Sequence, residues 1–509
     1  MPGRTGPNEG NVHMTIATKH DWQERASRLV IEGRAFIDGA YVDAVSGKTF
    51  TCVNPANGAD LVAVASGDAE DIDRAVRSGR RAFEQGWGRM AAMDRKRILL
   101  RFAELILAHR DELALLETLN VGKPIVNSST GDIPSAANCI NWCAEAIDKV
   151  YGEVAPGATD MTTLVVREPL GVVGAVVPWN YPLSMAAWKL GPALATGNSV
   201  VLKPAEQSPL TAIRIAALAV EAGIPPGVLN VVPGFGETAG RALGLHMDVD
   251  AITFTGSTEV GKYFLQYAGQ SNAKRVSLEL GGKSPHIVLA DCGELDAAAR
   301  AVAAGIFGNA GQVCNAGSRL IVERAVREPL LERLVALADA LTPGDPLDPA
   351  TRLGPLVDSV QMKRVLDYIE IGQKEGASVV AGGTRTLEET NGFFLRPTIF
   401  DGVTNDMRIA REEIFGPVLS AISVESFDDA IAVANDTIYG LAAAIWTDDV
   451  RRAHRAARDL RAGVVWVNCF DKGSMSAPFG GFKQSGFGRD KSLHALEKYT
   501  DLKSIWIAH

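Results

Sequence analysis

Cysteine is scarce in this chain. Six in 509 residues (Cys52, Cys139, Cys143, Cys292, Cys314 and Cys469) are too sparse for a disulfide framework and fit a reducing setting, the cytoplasm. Cys139 and Cys143 share a helix face at i,i+4, but no Cys or His nearby in sequence completes a metal site, and the eight histidines are scattered without ligand spacing. No metal is expected. Long hydrophobic runs are missing as well: the apolar stretch 170–179 is broken by Gly and Pro well short of the roughly 20 residues a membrane span needs. The first twenty residues have no apolar h-region, so residues 1–21 are expected to form a flexible tail rather than a secretory signal, with Met14 a candidate natural start. Positive charge is short too. A net charge of −9, with no Lys/Arg block interleaved with aromatics, argues against nucleic-acid binding. What the chain does have is 47% hydrophobic residues, enough to bury a large core in two or three domains.

Periodicity divides the chain. Residues 71–83, 94–120 and 134–150 carry apolar positions at helical spacing. Residues 162–169 are rich in β-branched side chains and predict a strand in an extended hairpin, after the turn-forming Pro156-Gly157-Ala158. From residue 171, short apolar strands (171–177, 199–202, 228–232, 251–255) alternate with Ala-rich helices (183–196, 209–222, 238–243), the rhythm of an open parallel sheet. A second cycle starts near 284–289 and continues through 319–322, 379–380 and 463–468, so two α/β domains are expected. Alternation over 496–507 suits an edge strand added to a neighbouring subunit's sheet. Left unpaired in a monomer, such an edge is a liability, which predicts a homo-oligomer, a dimer or a tetramer.

Two small-residue frames carry candidate chemistry. Cys314 sits in Gly311-Gln312-Val313-Cys314-Asn315-Ala316-Gly317, and Glu279 in Leu278-Glu279-Leu280-Gly281-Gly282-Lys283. Catalysis through a covalent thioester needs a soft nucleophile and a base that later activates water. A lone cysteine is more often a buried apolar residue, so context decides. That context is Val177-Pro178-Trp179-Asn180-Tyr181-Pro182, Val201-Leu202-Lys203-Pro204-Ala205-Glu206, Phe254-Thr255-Gly256-Ser257-Thr258-Glu259-Val260-Gly261, Glu412-Glu413-Ile414-Phe415-Gly416-Pro417 and Pro478-Phe479-Gly480-Gly481. With these segments in order, the chain resembles the NAD(P)-dependent aldehyde dehydrogenases from about residue 22 to its C-terminus.

The resemblance implies an aldehyde dehydrogenase-like α/β fold. A Rossmann-type NAD-binding domain would cover 22–146 and 170–281, a catalytic domain 282–482, and a β-hairpin oligomerisation element 147–169 with 486–509. The active site would lie in the crevice between the first two. Cys314 is then the nucleophile, Asn180 and the Cys314 backbone N–H the oxyanion donors, and Glu279 the base. Lys189 and Asp490 fall where the family relays protons, although the family often has Glu where Asp490 stands, and a surface ion pair is the competing reading. The frame from Gly256 and Ser257 to Gly261 opens a helix whose free N–H groups suit a pyrophosphate. Lys203 and Glu206 match the residues at the adenosine ribose, and the Glu206 carboxylate, by repelling a 2′-phosphate, favours NAD with NADP weaker. Glu413 and Phe415 match the nicotinamide end; Val177, Trp179, Gly240 and Leu280 complete the cofactor set.

Within the family, the chain is most similar to the gamma-glutamyl-gamma-aminobutyraldehyde dehydrogenases of putrescine breakdown, notably in residues 144–154, 344–351 and 488–498. Gly473 falls where simple-aldehyde relatives often carry an aromatic, which implies a wider tunnel for a longer, polar substrate. Met185, Trp188, Val313, Asn315 and Phe479 are the other expected pocket residues. A broad-range or betaine aldehyde dehydrogenase is the alternative. A CoA-acylating dehydrogenase would not need Glu279, and a non-catalytic structural role would need none of these residues.

Overall fold

The computed structural model describes residues 17–509. Two sheets form its centre. In the first, eight strands run in the order Gly486–Phe487, Arg275–Glu279, Ala251–Thr255, Val172–Val176, Ser199–Lys203, Leu229–Val231, Ala35–Ile37 and Ala40–Val42. The inner five are parallel, as the βαβ rhythm predicts. Val172–Val176 and Ser199–Lys203 are buried at every position, because helices cover both faces of a parallel sheet and leave no polar side for alternation. The second sheet has seven strands, ordered Ser378–Ala381, Thr398–Asp401, Val418–Val424, Arg319–Glu323, Pro285–Val288, Ala442–Trp446 and Val464–Val467. Every pairing in it is parallel except the antiparallel edge between its first two strands.

Several boundaries differ from expectation for local reasons. The single helix expected over 94–120 is two, Ala92–Ala108 and Arg110–Val121, broken at His109, whose ring Nδ1 meets Glu112 Oε2 at 2.7 Å. The expected tail reaches too far: Lys19–Ser27 is helical, because Thr18 and Asp21 form a reciprocal capping box at its start. Residues 1–16, including Met14, lie outside the described residues. The helix expected over 238–243 is a π-helical turn, Gly236–Gly240, leading into Arg241–Leu245. Cys139 and Cys143 pack between Ile133–Ala146 and Pro182–Ala195, where Gly191 leaves room for the Cys143 sulfur.

The tail strand is shorter than predicted. His494–Glu497 forms a helical turn, and the strand proper is Thr500–Ala508. It pairs antiparallel over its whole length with Met161–Pro169 of the same chain, which also pairs with Glu153–Ala155. Within the described residues the tail strand lies at the edge of that three-stranded sheet, with its other side unpaired. Before that, Gly486–Phe487 pairs with the end of Arg275–Glu279, so residues 486–487 belong to the first sheet rather than to the tail element. That short edge strand brings the C-terminal segment beneath Glu279. Among the described residues, no helix is long and apolar enough to cross a membrane.

Candidate active site

Between the two sheets lies a cavity of about 580 Å³. Cys314 reaches it on a loop whose backbone is bent sharply upstream: Asn309, Ala310 and Gly311 all have left-handed φ, of 49°, 53° and 71°. Hydrogen bonds hold that loop in place. Asn309 Nδ2 donates to the Asn180 carbonyl (3.0 Å), Asn180 Nδ2 donates to the Gln312 carbonyl (2.9 Å), and the Val357 N–H donates to Gln312 Oε1 (2.9 Å). Asn180 is therefore fixed with one amide hydrogen used and the other free. Tyr181 beside it packs under the Lys123 ammonium, 3.6 Å from its ring centroid.

Burial and the neighbouring carboxylates Glu413 and Glu279 push the Cys314 thiol up to about 12, so at neutral pH it holds its proton. Nucleophilic attack thus needs a proton acceptor. Gly281, which lines the cavity, and Gly282 both make room for neighbours across the site. A Cβ on Gly281 would strike the Glu413 carboxylate at 2.2 Å, and one on Gly282 the Cys314 carbonyl at 2.4 Å. The Gly282 N–H donates to Glu413 Oε1 at 3.0 Å, while burial raises the Glu413 carboxyl to about 7.

Glu279 ends the strand Arg275–Glu279. It is buried, takes no hydrogen-bond partner, and does not line the cavity. Its Oε1 is where a Cβ on Gly480 would come to 2.7 Å, so Gly480 makes room for it. Burial first, then the negative charge of Asp490, drives its carboxyl well above the ordinary range; Lys189, Lys498 and Arg489 counter only in part. Lys189 and Asp490 do meet, at 2.5 Å, and they are 1% and 0% exposed. The surface-pair reading is excluded. Lys498, which sequence reasoning missed, takes the other Asp490 oxygen. Burial alone would raise the Asp490 carboxyl, but the two ammoniums override it and hold it below the usual range.

The other expected residues divide by position. Trp179, Met185, Trp188, Gly256, Ser257, Leu280, Val313, Asn315, Glu413, Phe415, Gly473 and Phe479 line the cavity along with Asn180 and Cys314. Trp179 and Phe415 stand edge to face at 5.1 Å. Lys203, Glu206 and Gly240 form a separate cluster: Lys203 Nζ lies 3.3 Å from Glu206 Oε2, and a Cβ on Gly240 would sit 3.9 Å from the Lys203 stem. Val177 is buried and donates its N–H to the Lys203 carbonyl, and Gly261 lets its helix close on Leu280, so both act through packing. Sequence reasoning also passed over Asp132, Asp471 and Lys491, which line the cavity. Their positions adjoin named motifs, but nothing in their spacing shows which way they face.

This lining fits a dinucleotide. Ser257 caps the helix Thr258–Gln270 by accepting from the Val260 N–H, which leaves other first-turn N–H groups free toward the cavity edge at Gly256 and Ser257. Glu413 supplies a carboxylate suited to ribose hydroxyls in that lining, and Glu206 a second one in the separate Lys203 cluster.

Comparison with known proteins agrees with this geometry. The chain is 53% identical to the NADP/NAD-dependent aldehyde dehydrogenase PuuC of Escherichia coli, over 96% of this chain and 98% of that protein. It is 51% identical to the aminoacetaldehyde dehydrogenase of Pseudomonas aeruginosa, over 97% and 99%. Among solved structures, an indole-3-acetaldehyde dehydrogenase complexed with NAD+ superposes with a TM-score of 0.96 at 59% identity, covering 97% of this chain and all of that one. The gamma-glutamyl-gamma-aminobutyraldehyde dehydrogenase of Burkholderia cenocepacia gives 0.95 at 59% identity, with the same coverage. Residues 41–505 match the pattern of the aldehyde dehydrogenase family, and the chain belongs to that family of NAD(P)-dependent oxidoreductases.

Proposed function

We propose that the protein oxidises a long, polar aldehyde to its carboxylic acid with NAD, the substrate being gamma-glutamyl-gamma-aminobutyraldehyde or a related omega-amino aldehyde. The observation that carries this reading is the cavity itself, which joins Cys314 and Asn180 to a tunnel mouth left open at Gly473. A Cβ there would come within 4 Å of nothing but the Lys491 ammonium, at 3.9 Å.

The steps follow from the residues. The Cys314 thiol gives up its proton to water in the open cavity and its sulfur adds to the aldehyde carbon, forming the oxyanion of a thiohemiacetal. The free Asn180 amide hydrogen and the Cys314 N–H stabilise the developing oxyanion. Bound NAD supplies the hydride acceptor, with Glu413 and Phe415 at its nicotinamide end and Lys203 and Glu206 at its adenosine end. The carbon, now a thioester on Cys314, is released by water. Glu279 takes a proton from that water, and burial, by raising the proton affinity of its carboxyl, makes its ionised form the stronger base. To reach Cys314 its side chain swings out of the space beside Gly480, and Lys189 and Asp490 then carry the proton away.

The domain division follows the two sheets: cofactor binding on the eight-stranded one, catalysis on the seven-stranded one. One face of the three-stranded sheet exposes Trp506 (63%) and Leu502 (58%), an apolar surface suited to covering by a second copy, so the working form is a homo-oligomer of the cytoplasm. A panel of aldehydes with NAD or NADP, with and without CoA, tests the function. Highest kcat/KM with the C4 omega-amino or glutamylated aldehydes and NAD, independent of CoA, is expected. Preference for acetaldehyde, or dependence on CoA, would reject the reading. Gly473→Phe should penalise the long substrate more than acetaldehyde.

A further inference from the structure

Lys491 has no part in the steps above, yet the fold presents it to the cavity under constraint. Lys491 and Ser492 both carry left-handed φ, 58° and 54°, a conformation rarely adopted by two consecutive non-glycine residues. Hydrogen bonds impose it from both sides. Asp490 and Phe479 exchange backbone bonds of 2.7 and 2.8 Å, and the Ser492 N–H donates to the Met475 carbonyl at 2.8 Å. The result places the Lys491 ammonium 4.4 Å from the Trp188 ring centroid and 5.5 Å from that of Phe479. Among the described residues it has no ion-pair partner, although Asp471 lines the same cavity.

Asp471 stands on the loop that precedes Pro478, itself with a left-handed φ of 53°. Its Oδ1 accepts from Asn315 Nδ2 at 3.0 Å, leaving Oδ2 free. The loop is pinned by Trp466 Nε1, which donates to the Lys472 carbonyl at 2.7 Å. The third lining carboxylate, Asp132, is already taken by Lys123 at 2.5 Å. Of the lining cations, Arg364 donates to the Glu413 carbonyl and Lys472 is exposed, whereas Lys491 is half-buried; it and Asp471, not paired with each other, share the tunnel in which Gly473 leaves space.

We propose that Lys491 and Asp471 form a receptor for a zwitterionic α-amino-acid head at the far end of the aldehyde, Lys491 taking its carboxylate and Asp471 its ammonium. The receptor selects glutamylated aldehydes over free omega-amino aldehydes, whose single ammonium meets Lys491 and gains no partner for it. This rests on the aldehyde-oxidation reading and narrows its substrate class. The rings of Trp188 and Phe479 exclude water around the ammonium, so its charge is felt more strongly than on an open surface.

The test is a set of four aldehydes matched in length: one with an α-amino-acid head, one with only the carboxylate, one with only the ammonium, and one uncharged. In Lys491→Met, KM for the two carboxylate-bearing aldehydes should rise roughly tenfold or more relative to the uncharged one, the loss of one charge-assisted contact. The corresponding kcat ratios should move by less than about threefold, since the contact is made to the head group and not to a reacting atom. Lys491→Arg should keep the preference, and Asp471→Asn should shrink the advantage of the amino-acid head over the carboxylate alone. Equal losses across the four aldehydes, or unchanged ratios in a variant that melts and binds NAD normally, would overturn the receptor. Should Lys491→Met fail to fold, the wild-type enzyme still decides: added salt should raise KM for the carboxylate aldehydes and not for the uncharged one, and equal effects overturn the proposal. A wild type that oxidises the ammonium-only aldehyde best removes the receptor and leaves aldehyde oxidation standing, whereas failure with all four removes the reading beneath it.

Discussion

Asp490 and Lys491 are neighbours in the chain and lie in opposite media. Asp490 is fully buried between the Lys189 and Lys498 ammoniums, at the dry floor behind Glu279. Lys491 is half-buried at the wall of a cavity, stacked on aromatic rings and without a carboxylate partner. A charge in the floor is compensated by protein groups because no solvent can do it. A charge in the wall stays available to a ligand. Floor and wall therefore suit different tasks, the one moving protons and the other sorting substrates.

The largest expected effect lies where the two regions meet. Cys314→Ala should abolish turnover while NAD binding, followed by tryptophan fluorescence, stays close to wild type; oxidation at a substantial fraction of the normal rate would remove Cys314 as nucleophile.

Next comes the floor. Glu279→Gln should slow thioester hydrolysis by about 10²–10⁴-fold, so that acyl-enzyme accumulates and is seen by intact-protein mass spectrometry after one turnover. The pH dependence has a definite sign. The Glu279 carboxyl is raised, so it is protonated at low pH and becomes a base only as pH rises past its shifted value. Wild-type deacylation should therefore climb with pH along a limb lying above the ordinary glutamate range, and Glu279→Gln should lose that limb. A limb kept in the variant would assign it to another group.

Lys189→Met tests whether the floor is dry. Losing one of its two partners there leaves Asp490 only Lys498 and should cost stability, up to the roughly 3–5 kcal/mol of a fully stranded charge, whereas replacing Lys189, Asp490 and Lys498 together by apolar residues should recover part of the loss. A variant that melts like wild type would mean that water reaches the cluster and that floor and wall do not differ. The smallest effect is expected at the cofactor's far end, where Glu206 is partly exposed and solvent screens its charge. Glu206→Gln should shift the NAD to NADP ratio of kcat/KM toward NADP by about 1–3 kcal/mol, and an unmoved ratio would take Glu206 away from the adenosine ribose.

Much was legible in the sequence because local rules write it. The βαβ rhythm from residue 171 needed only apolar runs and helical spacing, and the small-residue frame at Gly256 needed only a strand-to-helix turn. Cys314, Glu279 and Asn180 could be named because each sits in a short motif that constrains its own backbone. What stayed illegible was what depends on distant chain. Glycines 281 and 282 could not reveal that they accommodate Glu413 and the Cys314 carbonyl. Nothing local separated a surface pair from a buried one at Lys189 and Asp490, which are 301 residues apart.

The sequence alone determined the family fold, the frame around Cys314 and the order of the motif segments. Tertiary structure decided which charges are dry, which are paired and which face the substrate. Asn315 finds Asp471 across 156 residues, and Lys189 finds Asp490 across 301, beside the short edge strand that carries the C-terminal segment under Glu279. The physical reason is that motifs fix backbone geometry over a few residues, whereas desolvation and charge pairing depend on every element packed around a group.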